Sequence, residues 1–270
     1  MCDACVMDVV RERMLSRRAL FRGGLAAGVA GLAAGAGAPA LAQGAGEAHD
    51  LTHTLSEDFP TFFGEPGFSM TQQFAFASDG FNLFDLTINE HTGTHIDAPF
   101  HFSADGASVD QIAVGQLVVP LCVVDIRAKA EGDPDAQVTP EDLSAWIVAN
   151  GEIPDRACVA MLSGWADKVG DETFRGADAD GVLHFPGFHP DAASMLLETQ
   201  AAAIAVDTLS LDHGPSADFA THYAWLGAGR YGIECVAGLD RLPASGATLV
   251  VGAPKHRGGS GGPARLIALA

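Results

Sequence analysis

Residues 91–102 read HTGTHIDAPFHF. His91, His95, Asp97 and His101 all occupy odd positions, while Ile96, Ala98, Phe100 and Phe102 occupy even ones. A helix would align His91 with His95 but turn Asp97 about 200° away from His95, and Gly93 and Pro99 oppose helix formation. An extended chain gives one chemical face and one packing face, because successive side chains of a strand point to opposite sides. Pro99 lies on the polar side and cannot donate to a ladder, so this segment belongs at a sheet edge or a strand end.

Two imidazoles and a carboxylate within seven residues make an incomplete metal shell, which is the catalytic rather than the structural arrangement. Such a donor set suits zinc, manganese or iron. An ion with an open position acidifies a bound water, so that hydroxide is available near neutral pH. His101, four residues past Asp97 on the same face, is placed to move protons between attacking water and leaving group.

Outward from this stretch, short apolar runs alternate with helical patterns. Residues 117–124 read as a valine-rich buried strand, with Pro120 confining its first half to an edge or a strand start. Thr139, Pro140, Glu141 and Asp142 form a helix start, with a hydroxyl cap, a proline needing no donor and acids in the first turn. That helix runs to about 149. Strands are expected at 50–55, 156–162, 202–206 and 248–251, helices at 191–200 and from Thr221 to about 230, and a short apolar element at 234–239. This order predicts an α/β fold with several parallel neighbours.

Residues 57–80 are rich in proline and glycine and carry six phenylalanines, Phe62 and Phe63 among them. They read as a loop folding over something apolar, with core packing an equally ordinary destination. Asp207 and Asp212 flank Thr208 and Ser210 just after a buried strand, where α/β sheets border their functional crevice. They are candidates for orienting histidines or lining a pocket, or for a hydrogen-bonded turn. The glycine-rich stretch 258–262 lacks the lysine and following helix of a phosphate loop, and reads as a turn bringing backbone close to neighbouring chain.

The chain carries 34 acidic against 15 basic residues, a formal net charge of −19. Five of the arginines lie before position 43, so the rest is more acidic still and would repel a phosphate backbone; nucleic-acid binding is excluded on that ground. Ser16, Arg17 and Arg18 lead into a Gly/Ala-rich apolar run ending Ala40-Leu41-Ala42. Residues 1–42 therefore read as a twin-arginine-type signal peptide, which predicts a periplasmic protein of residues 43–270 with no stable membrane insertion after cleavage. Cys122, Cys158 and Cys235 remain, and are expected to be buried free thiols rather than nucleophiles.

The motif at 91–102 resembles the signature of the metal-dependent cyclase/hydrolase family that includes bacterial kynurenine formamidases and isatin hydrolases. Further matches run through Asp50-Leu51-Thr52, Ser163-Gly164-Trp165, Val206 to Asp212, His222, Glu234 and the ending Gly261-Gly262-Pro263-Ala264-Arg265. The resemblance implies a single compact α/β domain with a mixed β-sheet core and flanking helices, of the swivelling β/β/α-like cyclase type. It implies that His91, His95 and Asp97 hold a first divalent ion, zinc or manganese. His222 and Glu234, with Asp97 bridging, hold a second in the formamidase-like members, giving one or two ions per subunit. His101 matches the family's acid/base residue, and relatives form homodimers or homotetramers. Phe62 stands where the formamidases carry a tryptophan and Phe63 replaces a proline, so the substrate pocket, with Asp207, Ser210 and Asp212 as its other candidates, has a changed outline.

The function expected is hydrolysis of an amide or lactam bond in a small cyclic or aryl substrate. The alternatives are a lactone hydrolase or a cyclase/dehydratase of the same family, or a non-catalytic periplasmic metal- or ligand-binding protein.

Overall fold

Strands whose neighbouring residues are both apolar need cover on both faces, and this requirement organises the protein. The computed structural model describes residues 46–270; the signal-peptide reading of 1–42 lies outside the described residues. In chain order the main elements are β1 (Ala48–Asp50), β2 (Phe68–Phe74), β3 (Leu83–Ile88), β4 (His95–Asp97), β5 (Val118–Asp125), β6 (Gln137–Val138), α1 (Pro140–Asn150), β7 (Cys158–Leu162), β8 (Gly187–Phe188), α2 (Pro190–Leu197), β9 (Ala203–Val206), α3 (Ala220–Gly227), β10 (Tyr231–Glu234), β11 (Ala247–Gly252), β12 (Gly261–Pro263) and β13 (Arg265–Leu269).

Nine strands form one mixed sheet in the order β1-β13-β11-β5-β7-β9-β10-β4-β12. The four central neighbours β5, β7, β9 and β10 run parallel, and the pairings outside them are antiparallel. This is the α/β architecture with a mixed sheet and flanking helices that the sequence predicts. On β5, Leu121 and Val123 enter one apolar cluster while Cys122 and Val124 enter the other; on β7, Cys158 and Ala160 oppose Val159 and Met161 in the same way. The helices cover the second cluster, contributing Leu143 and Trp146 from α1, Leu196 from α2, and Trp225 and Leu226 from α3.

α1 begins as its sequence requires. Thr139 N–H donates to Asp142 Oδ2 at 2.8 Å in a capping box, and the helix stops at Gly151, whose φ is 94°. Trp146 Nε1 donates to the Val123 carbonyl at 2.9 Å, so the ring is buried without an orphaned donor. Pro120 is tolerated because pairing of β5 with β7 begins only at Leu121, while residues before it pair with β11 alone.

Several boundaries differ from the sequence-based expectations. β1 ends at Asp50, and beyond it Thr52 makes a single bridge to Val236. Glu234 closes β10 instead of beginning an element, because the strand starts at Tyr231. The stretch read as loop from 57 to 80 becomes a strand at Phe68, paired with β3. Neither strand shows the alternation that marks a half-buried strand, since β3 is exposed along its whole length. The described residues 46–70 and 86–270 make one compact unit, and residues 71–85 fall in another. Within 71–85, one helical turn, Phe76–Asp79, ends at Gly80, and Phe74 stacks on Phe81 at 5.0 Å.

Cys122, Cys158 and Cys235 are buried and free, and burial pushes the Cys122 thiol up to about 12, which suits inert packing groups. Among the described residues no helix is long and apolar enough to cross a membrane.

Candidate metal centre

The extended reading of residues 91–102 holds only for β4, its three central residues. Ile96 and Ala98 are buried as the packing face requires, but Phe100 is exposed. His91 and His101 reach the polar face by other means. The chain bends through Gly93, whose φ of 67° is a left-handed conformation that favours glycine. After Asp97 it enters a 3-10 turn, Pro99–His101, that starts at the proline. The four side chains converge nonetheless. His91 Nδ1 lies 2.7 Å from Asp97 Oδ1, His95 Nε2 lies 3.3 Å from the same oxygen, and the His101 ring stacks on His91 at 3.8 Å.

The remaining donors arrive through the sheet and one helix. β10 pairs with β4 in the register that sets Glu234 opposite His95, so both side chains share a face. Glu234 Oε2 lies 3.3 Å from His95 Nε2, and its Oε1 accepts from the Leu211 amide at 3.0 Å. His222, in the first turn of α3, brings Nε2 to 3.2 Å from Glu234 Oε1 and 3.7 Å from Asp97 Oδ2. The residue before α3, Phe219, has a φ of 51° and no capping side chain, and Asp212 supplies the missing acceptor. Asp212 Oδ1 accepts from Thr221 N–H at 2.8 Å, and Oδ2 accepts from His222 N–H at 3.0 Å and His222 Nδ1 at 2.6 Å.

These residues fit a cation. His95 Nδ1 donates to the Gly93 carbonyl at 2.8 Å, which leaves Nε2 as the inward nitrogen, without a hydrogen-bond partner and facing two carboxylates. Asp97 Oδ2, also buried, has no hydrogen-bond partner either. The charged partners of Asp97 and Glu234 are histidines alone among the described residues. Burial lowers the His95 pKa, but Asp97 and Glu234 outweigh it and push it up to about 10. Burial likewise opposes the Asp97 carboxylate, yet the neighbouring rings of His222, His91 and His95 hold it well below its usual range. Both shifts express one fact: the cluster is short of positive charge. Donor atoms fall into two close groups, His91/Asp97/His101 and His95/Asp97/Glu234, with Asp97 common to both.

The cluster lies along a cavity of about 380 Å³. Phe62, Phe63, Phe102 and Phe219 supply apolar lining, and His91, His95, His101, His222, Glu234 and Ser210 supply the polar side. Burial, the largest influence on His101, lowers its pKa to about 4, so it is neutral near pH 7. Asp207 and Asp212, expected as pocket residues, do not line this cavity. Asp207 instead closes the turn after β7, accepting from the amides of Ser163 and Gly164 at 2.9 Å each and from Ser163 Oγ. Asp212 acts one layer out, on His222. Three contributors escaped the sequence reading. Phe102 was assigned to packing, Phe219 carried no signal, and Ser260, 2.9 Å from His91 Nε2, was hidden in a glycine-rich turn.

Comparison with known proteins agrees with this geometry. Residues 49–213 match the family model described as putative cyclase. An isatin hydrolase from Roseibium aggregatum is 34% identical over 194 residues, covering 68% of this chain and 73% of that protein. A kynurenine formamidase from Salinibacter ruber is 28% identical over 186 residues, covering 69% of this chain and 79% of that protein. The solved structure of isatin hydrolase A from Labrenzia aggregata, bound to benzyl benzoate, superposes with a TM-score of 0.79 at 35% identity, covering 85% of this chain and 96% of that one. With a matching family model, two long sequence matches and a shared fold built around clustered His, Asp and Glu donors, the chain belongs to the cyclase family of metal-dependent hydrolases that includes isatin hydrolases and kynurenine formamidases.

Proposed function

We propose that this protein hydrolyses the amide bond of a small cyclic aryl lactam of the isatin type, opening the ring to an amine and a carboxylate. The observation that carries the reading is the cavity itself: phenylalanines from two loops and α3's approach line a space of about 380 Å³ that opens onto the His/Asp/Glu cluster. Aromatic walls at Phe62, Phe102 and Phe219 suit a flat ring, and set its carbonyl towards the polar side. His91, His95, Asp97, His222 and Glu234 are the residues that would hold one or two divalent ions, zinc or manganese. The chemistry such an ion would supply there is polarisation of the carbonyl and acidification of water.

His101, neutral before reaction, takes the proton from the water as its oxygen bonds to the carbonyl carbon. It then returns that proton to the lactam nitrogen as the carbon–nitrogen bond breaks. Asp212 holds His222 in one tautomer, and burial of Asp97 keeps competing water from its carboxylate. On the reading of residues 1–42 the enzyme works in the periplasm, and the family resemblance implies a homo-oligomer.

Removing the imidazole in His101→Ala is expected to cut turnover of an isatin-type lactam by about 10²–10⁴-fold with bound metal retained. Asp97→Ala is expected to lose both. Metal content and ring-opening rate, measured on the two purified variants, decide the matter. Full activity in the His101 variant removes its assigned role, and no ring opening by the metal-loaded wild type removes the substrate class.

A further inference from the structure

His91 differs from the other two histidines in what lies behind it. His95 leans on a backbone carbonyl and His222 on the carboxylate of Asp212, whereas His91 Nε2 sits 2.9 Å from the hydroxyl of Ser260. A hydroxyl can donate or accept, so the pair by itself does not say which nitrogen of His91 carries the proton.

Glu90 settles it. Ser260 Oγ–H donates to Glu90 Oε2 at 2.6 Å, and the Ser260 amide donates to the same oxygen at 3.1 Å. The other oxygen of Glu90 bonds His256 Nε2. A carboxylate taking three donors is an acceptor throughout. If Ser260 turned its single proton to His91, its oxygen would face Glu90 Oε2 with no hydrogen between them. The proton therefore stays with Glu90, and Ser260 Oγ can only accept from His91.

We infer that Ser260 and Glu90 are positioning residues that fix the tautomer of His91, with Nε2 protonated and Nδ1 left to coordinate the ion. Nδ1 is the atom 2.7 Å from Asp97 Oδ1; without an ion it donates to that carboxylate, and it is this proton, not the one on Nε2, that a bound ion would displace. The fold supports the arrangement. β12 pairs with β4 immediately after Ser260, and the Ser260 carbonyl accepts from the Ala98 amide at 2.8 Å, which anchors the serine beside the histidine. The inference rests on His91 being a metal ligand, as the proposed function has it.

Two measurements test it on the zinc-loaded full chain. Long-range ¹H–¹⁵N correlation spectra of the histidine rings are expected to show His91 with a protonated Nε2 and a zinc-shifted Nδ1; a protonated Nδ1 overturns the inference. In a competitive chelator titration, Ser260→Ala is expected to weaken zinc binding about tenfold or more, within the range found for outer-shell partners. Glu90→Gln acts through the same serine, so the double variant is expected to lose no more than Ser260→Ala alone. Additive losses, or unchanged affinity in both single variants, overturn the relay while leaving the metal site intact. A wild-type chain that binds no zinc or manganese overturns the site and the relay together.

Discussion

Asp212 is 2% exposed and holds two structures at once. Its Oδ1 caps α3 through Thr221 N–H, and its Oδ2 takes both His222 N–H and His222 Nδ1. Asp212→Ala strips an N-terminal helix cap, worth about 0.5–2 kcal/mol. It also removes the charge-assisted bond to the imidazole, worth about 1.5–3 kcal/mol. The expected loss of stability is therefore about 3–4 kcal/mol, because two amides and a ring nitrogen are left in a buried place. Asp212→Asn separates the halves. Asparagine has one acceptor oxygen; turned to His222, it keeps that side and sets its amide group against Thr221 N–H. The expected loss is then about 1–2 kcal/mol, half that of the alanine variant or less. Urea unfolding in excess chelator measures both, since without metal the difference in midpoint reports the hydrogen bonds alone. Losses below about 1 kcal/mol in both variants would refute the claim that one carboxylate carries the helix start and the histidine together.

Two further perturbations read other parts of the molecule. A Cβ on Gly261 would overlap the Ile96 carbonyl oxygen and come within 2.8 Å of His91 Cε1. Gly261→Ala is expected to cost about 1–3 kcal/mol in urea unfolding and to weaken zinc binding, whereas Gly246→Ala, with open space around its Cβ but a φ of 98°, should weaken only stability. Asp142 carries a pH signature. Burial works against its charge, but Lys129 and the Thr139 amide hold its carboxyl below the usual value. Its stabilisation is thus complete above the unfolded value near pH 4 and disappears as pH falls through the lower folded one. Asp142→Asn is expected to cost about 1 kcal/mol at pH 7 after screening of the exposed Lys129 pair, and nothing near pH 2; unfolding midpoints across that range check it.

The alternation of apolar pairs at Leu121–Val124 and Cys158–Met161 made the buried parallel strands legible, because sheets covered on both faces need such runs. The four polar residues from His91 to His101 were legible for a related reason. They lie close in sequence, and three strand residues, one glycine bend and one 3-10 turn suffice to gather them. Residues 68–88 were not legible as a hairpin, since β3 buries neither face and so shows no alternation. Glu234 and His222 were reached only through the family resemblance. Nothing local at either position announces a ligand; Glu234 depends on the register of β10 against β4, and His222 on a carboxylate ten residues back. Register and return loops are decided by the whole sheet, which a reading of one segment at a time does not contain.

That dependence has a thermodynamic consequence. The donors come from β4, β10, α3 and, behind them, the strand entry at Ser260, whose bond to His91 spans 169 residues of chain. More than a hundred residues separate β4 from α3, β10 and Ser260, so the site exists only when the sheet has closed. A one-residue slip between β4 and β10 would turn Glu234 to the opposite face and leave His95 Nε2 without it. Folding without metal must therefore gather Asp97 and Glu234 with nothing but histidine protons to offset them, at a cost that rises as those protons are lost. A bound ion removes this penalty and binds the folded chain alone, so the free energy of binding appears directly as stability. The chain's buried carboxylates thus destabilise the empty fold for the sake of holding the ion, and the parallel strands beneath, with apolar cover on both faces, supply the stability that permits it.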